Sequence, residues 1–430
     1  MAISKGIICI ADAYGIIRPF DFRIVRLRTI FPLSIHPPFF ILLNPQSKIV
    51  NRMPLFLDSI FSFVALSHFM VDVFNASRPV LLTYLGLTES QIALFSTIYI
   101  WASALTQPIF GWISDRAGPR WLAAGGVLWM TAFYSLALAL PGNLGLGCLI
   151  VAALGSSAFH PVGAVQAALR GRDLMKGRET TSTSLFFTAG QMGHFIGPIA
   201  AGLILAALKI PGMYILPLIS IPIGFSLMYQ LKDNHPHPQP EKTVISKRNR
   251  AGWVFVVSLM VVAALQSWAQ SNMVNLIPKY IKDLGQNATV YGSMAGLFMG
   301  GSALGNVIGG YYADRFPKRF VAALALLLSA FPIFIIGQVG WSGWLYILIP
   351  LAGSGTGAVH SIMVVLAQRV IPGGMALASG LILGFIFSAG ALGLLYTGHL
   401  AELHGFPYVL TMTTGMALVA SPLALLLKEG

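Results

Sequence analysis

From about residue 57 onward, long apolar runs alternate with short polar connections. Twelve runs can be drawn, at roughly 57–82, 91–113, 120–140, 144–169, 182–207, 211–231, 252–278, 290–312, 320–339, 343–368, 373–398 and 405–427. A helix needs about 18 or more apolar residues to cross the hydrocarbon of a bilayer, and each run is of that order. The pattern therefore predicts twelve transmembrane helices. Past residue 57, only Leu231–Arg250 reads as plainly non-membrane. Residues 1–52 follow a different rule. Their apolar stretches are short, broken by Pro19, Pro32, Pro37, Pro38 and Pro45, and mixed with Arg18, Arg23, Arg26 and Arg28. The reading here is a poorly ordered cytoplasmic tail. The alternatives are an over-extended start ahead of Met53 and a helix lying in the membrane interface. A compact signal-peptide core with a small-residue cleavage site is not evident.

Composition agrees with the run pattern. The 430 residues are 56% hydrophobic and 10% charged, with a mean hydropathy of +0.76. Soluble domains carry about 25% charged residues. The net charge of +13 would suit a nucleic-acid partner, but its distribution excludes that reading. Arg116 and Arg120, Arg170, Arg172, Lys176 and Arg178, the basic residues of the central linker, Arg315, Lys318 and Arg319, and finally Arg369 and Lys428 all fall on one side of the predicted helices. Only Arg78, Lys209, Lys279 and Lys282 fall on the other. The positive-inside rule then puts both termini and the linker in the cytoplasm. Cys9 and Cys148 form no metal-ligand spacing, and no structural disulfide is expected.

The membrane region is written twice. GWISDRAGPR (Gly111–Arg120) returns as GYYADRFPKR (Gly310–Arg319), 199 residues later. The same offset aligns Pro79 with Pro278, Leu85-Gly86 with Leu284-Gly285, and Ser103 with Ser302. At an offset of 200, GSSAFH (Gly155–His160) meets GTGAVH (Gly355–His360), and Gly190 and Gly193 meet Gly390 and Gly393. A near-constant offset over six helices indicates a duplicated six-helix unit. The expected domains are an N-terminal bundle over 53–231, a cytoplasmic linker over 232–251 and a C-terminal bundle over 252–430.

Polar groups at membrane depth supply the candidate chemistry. Asp72 is the one acid placed well inside a helix; it follows His68 by four residues and precedes Asn75 by three. All three then share one helical face. An intramembrane carboxylate is costly unless it faces a cavity or a partner, so this face is expected to line the centre of the bundle. Asp72, with His68, is the candidate proton site; the alternative is a packing hydrogen bond to helix 4 or 5. Gln266, Gln270, Asn272 and Asn275 on helix 7 suit a polar substrate, although some are expected to be plain inter-helix bonds. Pro161 removes a backbone hydrogen bond beside His160 and is expected to kink helix 4. His160 then reads either as a cavity group or as a structural histidine. The structural reading is favoured for His360, which Ser361 follows. His194 sits among Gly190, Gly193 and Gly197, and Gly380, Gly384, Gly390 and Gly393 repeat that frame in helix 11. These read as packing and sliding surfaces, not ligands.

Gly111, Asp115, Arg116, Gly118 and Arg120, between helices 2 and 3, resemble the signature loop of the major facilitator superfamily. The second copy keeps Asp314, Arg315 and Arg319 and has Pro317 in place of the glycine. The resemblance implies a twelve-helix, all-α membrane fold of two parallel six-helix repeats around a central cavity. Asp115, Arg116, Arg120, Asp314, Arg315 and Arg319 are then a conformational latch on the cytoplasmic side, or, for the arginines, topology anchors. A narrower resemblance, to fosmidomycin-resistance transporters, rests on LSHFMVD (Leu66–Asp72), LTQPIFGWISDR (Leu105–Arg116), GSSAFHP (Gly155–Pro161), GQMGHFIGP (Gly190–Pro198) and ASGLILGFIFSAGALG (Ala378–Gly393). Those proteins often carry a glutamate directly after His-Pro. Here it is Val162, so no proton-carrying role attaches to that position.

No nucleotide-binding, hydrolase, haem or zinc motif is present, so no enzyme, cofactor or metal is expected, and an ion or substrate gradient must supply the energy. The expectation is a monomeric, proton-coupled exporter of a small polar compound or drug in a bacterial inner membrane. Its partners are the lipid bilayer, the substrate and protons. The alternatives are a metabolite importer of the same fold and a non-transporting sensor or scaffold.

Overall fold

The computed structural model describes residues 55–175, 179–232, 252–370 and 375–427. The tail 1–52 and nearly all of the linker 232–251 lie outside them. The described chain is all-helical, with twelve helices after a short 3₁₀ turn at Leu55–Leu57. They are α1 (Ser59–Tyr84), α2 (Glu89–Ala117), α3 (Pro119–Ala139), α4 (Gly142–Leu174), α5 (Glu179–Gly212) and α6 (Ile215–Gln230), then α7 (Trp253–Asp283), α8 (Ala288–Ala313), α9 (Lys318–Gln338), α10 (Leu345–Val370), α11 (Met375–His404) and α12 (Phe406–Ala424).

Ten of the twelve contain segments long and apolar enough to cross a membrane. The two others depart for visible reasons. α6 has 16 residues, because α5 continues past the boundary the hydropathy suggests and ends at Gly212 after a break at Lys209 (φ 58°, ψ −159°). α8 carries seven glycines, which dilute its hydropathy while letting it pack closely. Trp112, Leu218, Phe225, Leu304, Val307 and Phe331 are each more than half exposed. Apolar exposure on this scale suits lipid and not water. The protein is a multi-pass membrane protein.

The duplication seen in the sequence is also a duplication of packing. α1 packs on α5, α2 on α4, α3 on α4 and α6, and α1 on α4 and α6. Six helices later, α7 packs on α11, α8 on α10, α9 on α10 and α12, and α7 on α10 and α12. The connecting turns repeat as well. Gly86 and Gly285 both hold φ +81°, a left-handed conformation that side chains disfavour. Thr88 and Asn287 then cap the helices that follow, accepting from the backbone N–H groups of Gln91 and Val290.

The two sets of six meet through α2 on α11 and α5 on α8, pairs that exchange under the six-helix shift. The α5–α8 approach is close. A Cβ added at Gly292 would lie 2.5 Å from the Pro198 carbonyl oxygen. Charged groups tie the interface at the end opposite the Asp-Arg loops. Lys279 of α7 pairs with Glu89 of α2 at 3.1 Å, Lys282 donates to the Thr83 carbonyl at 2.7 Å, and Thr88 donates to Glu402 of α11 at 3.2 Å.

Candidate functional site in the membrane interior

α1 supplies the centre of the site. Its N-terminus is fixed by Asp58, which accepts from the Phe61 N–H at 2.8 Å and lies 3.7 Å from Arg170 of α4. About four turns further on, Asp72 is buried among histidines from three helices. His68 Nε2 lies 3.2 Å from Asp72 Oδ2, on the same helix. His160 Nε2 of α4 lies 3.5 Å from Oδ1, and His194 Nδ1 of α5 lies 3.3 Å from Oδ2. Asn75 donates to Oδ1 at 2.9 Å and to Ser156 at 3.1 Å. The predicted shared face of His68, Asp72 and Asn75 is therefore observed, and His160 joins it.

Glycine makes the approach of α5 possible. A Cβ at Gly190 would sit 2.5 Å from both Asp72 Oδ2 and His68 Cε1. His194 belongs to the same face of α5, at i+4 from Gly190. Its assignment to packing alone is corrected: the glycine face that packs on α1 brings His194 onto the carboxylate. His68 is further fixed by stacking on Phe186, with centroids 3.9 Å apart and planes at 19°.

The hydrogen bonds determine how protons are arranged. His68 Nδ1 lies 2.8 Å from the Phe186 carbonyl oxygen, and His160 Nδ1 lies 2.8 Å from that of Ser156. A carbonyl only accepts, so both Nδ1 atoms carry hydrogen. Their Nε2 atoms face carboxylate oxygens, which also accept. Two neutral rings and an ionised carboxylate would set lone pair against lone pair at both contacts, so these contacts call for at least one further proton. The chemistry available is reversible proton storage. Asp72 and His68 are buried, whereas the side chains of His160 and His194 are 22% and 29% exposed. Among the described residues, His68, Asp72 and His160 are also the one group whose ligand-type atoms, all within 4.8 Å of one another, could hold a metal ion.

The other predicted residues divide. Asn275 receives a hydrogen bond from Arg78 at 2.7 Å, and Gln266 donates to Gln270 at 2.7 Å and to the Thr356 carbonyl at 3.0 Å. Asn272 donates to Thr413 of α12 at 3.1 Å, one of the inter-helix bonds expected. His360 lies near Phe387 and, among the described residues, has no hydrogen-bond partner and no acid beside it. α4 runs unbroken through Pro161 as one helix. On the loop face, Arg116 donates to Trp112 on its own helix, Arg120 to the Met228 carbonyl of α6, and Arg315 to Tyr311. Arg319 lies over Phe320. Among the described residues, no ion pair joins the latch residues of the two halves; the Asp115 side chain is outside that set, and Asp314 has no ion-pair partner within it. Sequence reasoning missed Arg78 and Tyr99. Arg78 was read as a topology charge, but it is buried against the second half.

The Major Facilitator Superfamily profile matches residues 60–271 and again 259–429. The chain belongs to that superfamily; it is a secondary transporter and not an enzyme. It is 27% identical to the fosmidomycin resistance protein of Escherichia coli (strain K12), over 79% of this chain and 85% of that protein. It is 28% identical to the uncharacterized MFS-type transporter YfnC of Bacillus subtilis (strain 168), over 84% and 90%. Its fold is similar to a bacterial homologue of the human lysosomal transporter Spinster in an inward-facing, occupied conformation. That likeness has a TM-score of 0.68 at 12% identity and covers 85% of this chain and 94% of the other.

Proposed function

We propose that the protein is a proton-coupled antiporter that exports a small polar compound or drug by alternating access. The single observation that carries this reading is the buried carboxylate of Asp72 in contact with three histidines, two of them partly exposed. In this reading Asp72 and His68 are the proton site. A proton enters through His160 or His194, is held between rings and carboxylate, and leaves toward the opposite face. Asn75, His160, Gln266, Gln270, Asn272, Asn275 and His360 line the substrate path, with Asn272 tied back to α12.

The two bundles, 53–231 and 252–430, rock about the α2–α11 and α5–α8 contacts. Asp115, Arg116, Arg120, Asp314, Arg315 and Arg319 latch the loop face in one state, and the Lys279–Glu89, Lys282–Thr83 and Thr88–Glu402 contacts tie the other face in the alternate one. Both termini face the cytoplasm of a bacterial inner membrane, and the unit is a monomer. The name of the Escherichia coli relative supports export.

The test is reconstitution in liposomes with an imposed pH step. Fosmidomycin serves as the first compound, and internal pH and compound are followed together. Exchange in opposite directions that disappears in Asp72→Asn is expected; unchanged coupling in that variant would sink the proposal.

A further inference from the structure

Arg78 is a cation deep in the protein with no anion beside it among the described residues. It is 5% exposed and lies on α1, six residues beyond Asp72. Among the described residues, no carboxylate oxygen lies within 4.0 Å of its guanidinium, since no ion pair includes it. Its Nη2 donates to Asn275 Oδ1 of α7 at 2.7 Å, and its Cζ stands 4.2 Å above the Tyr99 ring. Its Nε is buried and has no hydrogen-bond partner among the described residues.

A buried charge that is neither paired nor fully hydrogen-bonded is strongly disfavoured. The two contacts present, a neutral amide and an aromatic face, soften that penalty without supplying a counter-charge. A guanidinium offers five N–H donors in a planar fork, and one such fork takes two oxygens of a carboxylate, phosphonate or phosphate side by side. Here that fork is poised between the two halves. Asn275 belongs to α7 and Tyr99 to α2, so relative movement of the halves changes what covers Arg78. The surroundings are held in place from the proton cluster: Tyr99 donates to Asn75 Oδ1 at 2.6 Å, and Asn75 donates to Asp72.

We infer that Arg78, capped by Asn275 and floored by Tyr99, is the docking point for an oxyanion group on the transported molecule. The inference rests on the transport reading and narrows its substrate class to small anions. The missing counter-ion arrives with the cargo.

The test uses the purified full-length protein and measures thermal stabilisation by acetate, methylphosphonate and inorganic phosphate at constant ionic strength, with acetamide as neutral control. Oxyanions are expected to stabilise the wild-type protein and acetamide is not. Arg78→Gln is expected to weaken the response about tenfold or more, as loss of a charge-assisted fork requires. Should that variant fail to fold, Asn275→Asp decides the matter. It keeps the guanidinium and puts a carboxylate beside it, so it is expected to fold and to lose the oxyanion response. Equal responses in wild type and Asn275→Asp, or no response to any oxyanion in the wild type, overturn the inference. Oxyanion binding without proton-coupled flux would instead remove the transport reading and leave the site standing.

Discussion

Lys279 of α7 pairs with Glu89 of α2 across the two halves, at 3.1 Å, while holding Asp283 on its own helix at 2.6 Å. One ammonium thus ties together two carboxylates whose mutual distance changes if the halves separate. The Lys279 and Glu89 side chains are largely shielded, and the Lys282–Thr83 and Thr88–Glu402 bonds flank them.

Removing this tie is expected to favour opening of that face. Lys279→Gln and Glu89→Gln are each expected to raise the rate of labelling at a reporter cysteine near Thr83 by about two- to fivefold, as a partly shielded pair worth up to ~1 kcal/mol permits. The exchanged double variant, Lys279→Glu with Glu89→Lys, is expected to recover part of the loss. Labelling rates indifferent to all three would show that the pair does not hold the face shut.

Asp72 and its histidines are not equivalent to their counterparts in the second half. His160→Ala is expected to slow pH-driven exchange roughly tenfold, about 1.4 kcal/mol of barrier. His360→Ala is expected to leave the pH dependence of that exchange unchanged, any loss falling on substrate affinity, because no acid stands beside that ring among the described residues. A pH dependence altered alike in the two variants would shift the chemistry away from the first half.

Gly190 leaves no room for a methyl group beside Asp72 and His68. Gly190→Ala is expected to cost about 1–3 kcal/mol by overpacking and to lower the melting temperature by several degrees. Gly125→Ala serves as control, since a Cβ there meets nothing within 4 Å. Helix propensity favours that change slightly, by about 0.5–1 kcal/mol at most. Circular-dichroism melts of both variants in detergent check the pair; a Gly190→Ala protein as stable as Gly125→Ala contradicts the packing described.

Much of the fold was legible because membrane helices announce themselves by run length and because the chain repeats at a fixed offset. What hydropathy could not place was the end of α5, where a local break at Lys209 decides the boundary. In the site, His68, Asp72 and Asn75 were readable from spacing on one helix. His194 was not, because spacing within α5 says nothing about which helix its face meets. A signal was present nonetheless: His194 follows Gly190 by four residues, and a glycine face marks the closest helix contact. Arg78 was obscured for another reason. Counting charges by side of the membrane treats every arginine near a helix end alike, and only the fold shows that this one is enclosed.

The socket at Gly190 has a twin. Gly390 of α11 presses on Ser267, the residue at the repeat position of His68, and that hydroxyl donates to the Ile386 carbonyl at 2.6 Å. The second half therefore reproduces the packing of the first with an inert group where the imidazole stands. If His68 serves the proton site as proposed, each molecule carries its own blank: the same glycine-lined helix contact with the imidazole left out.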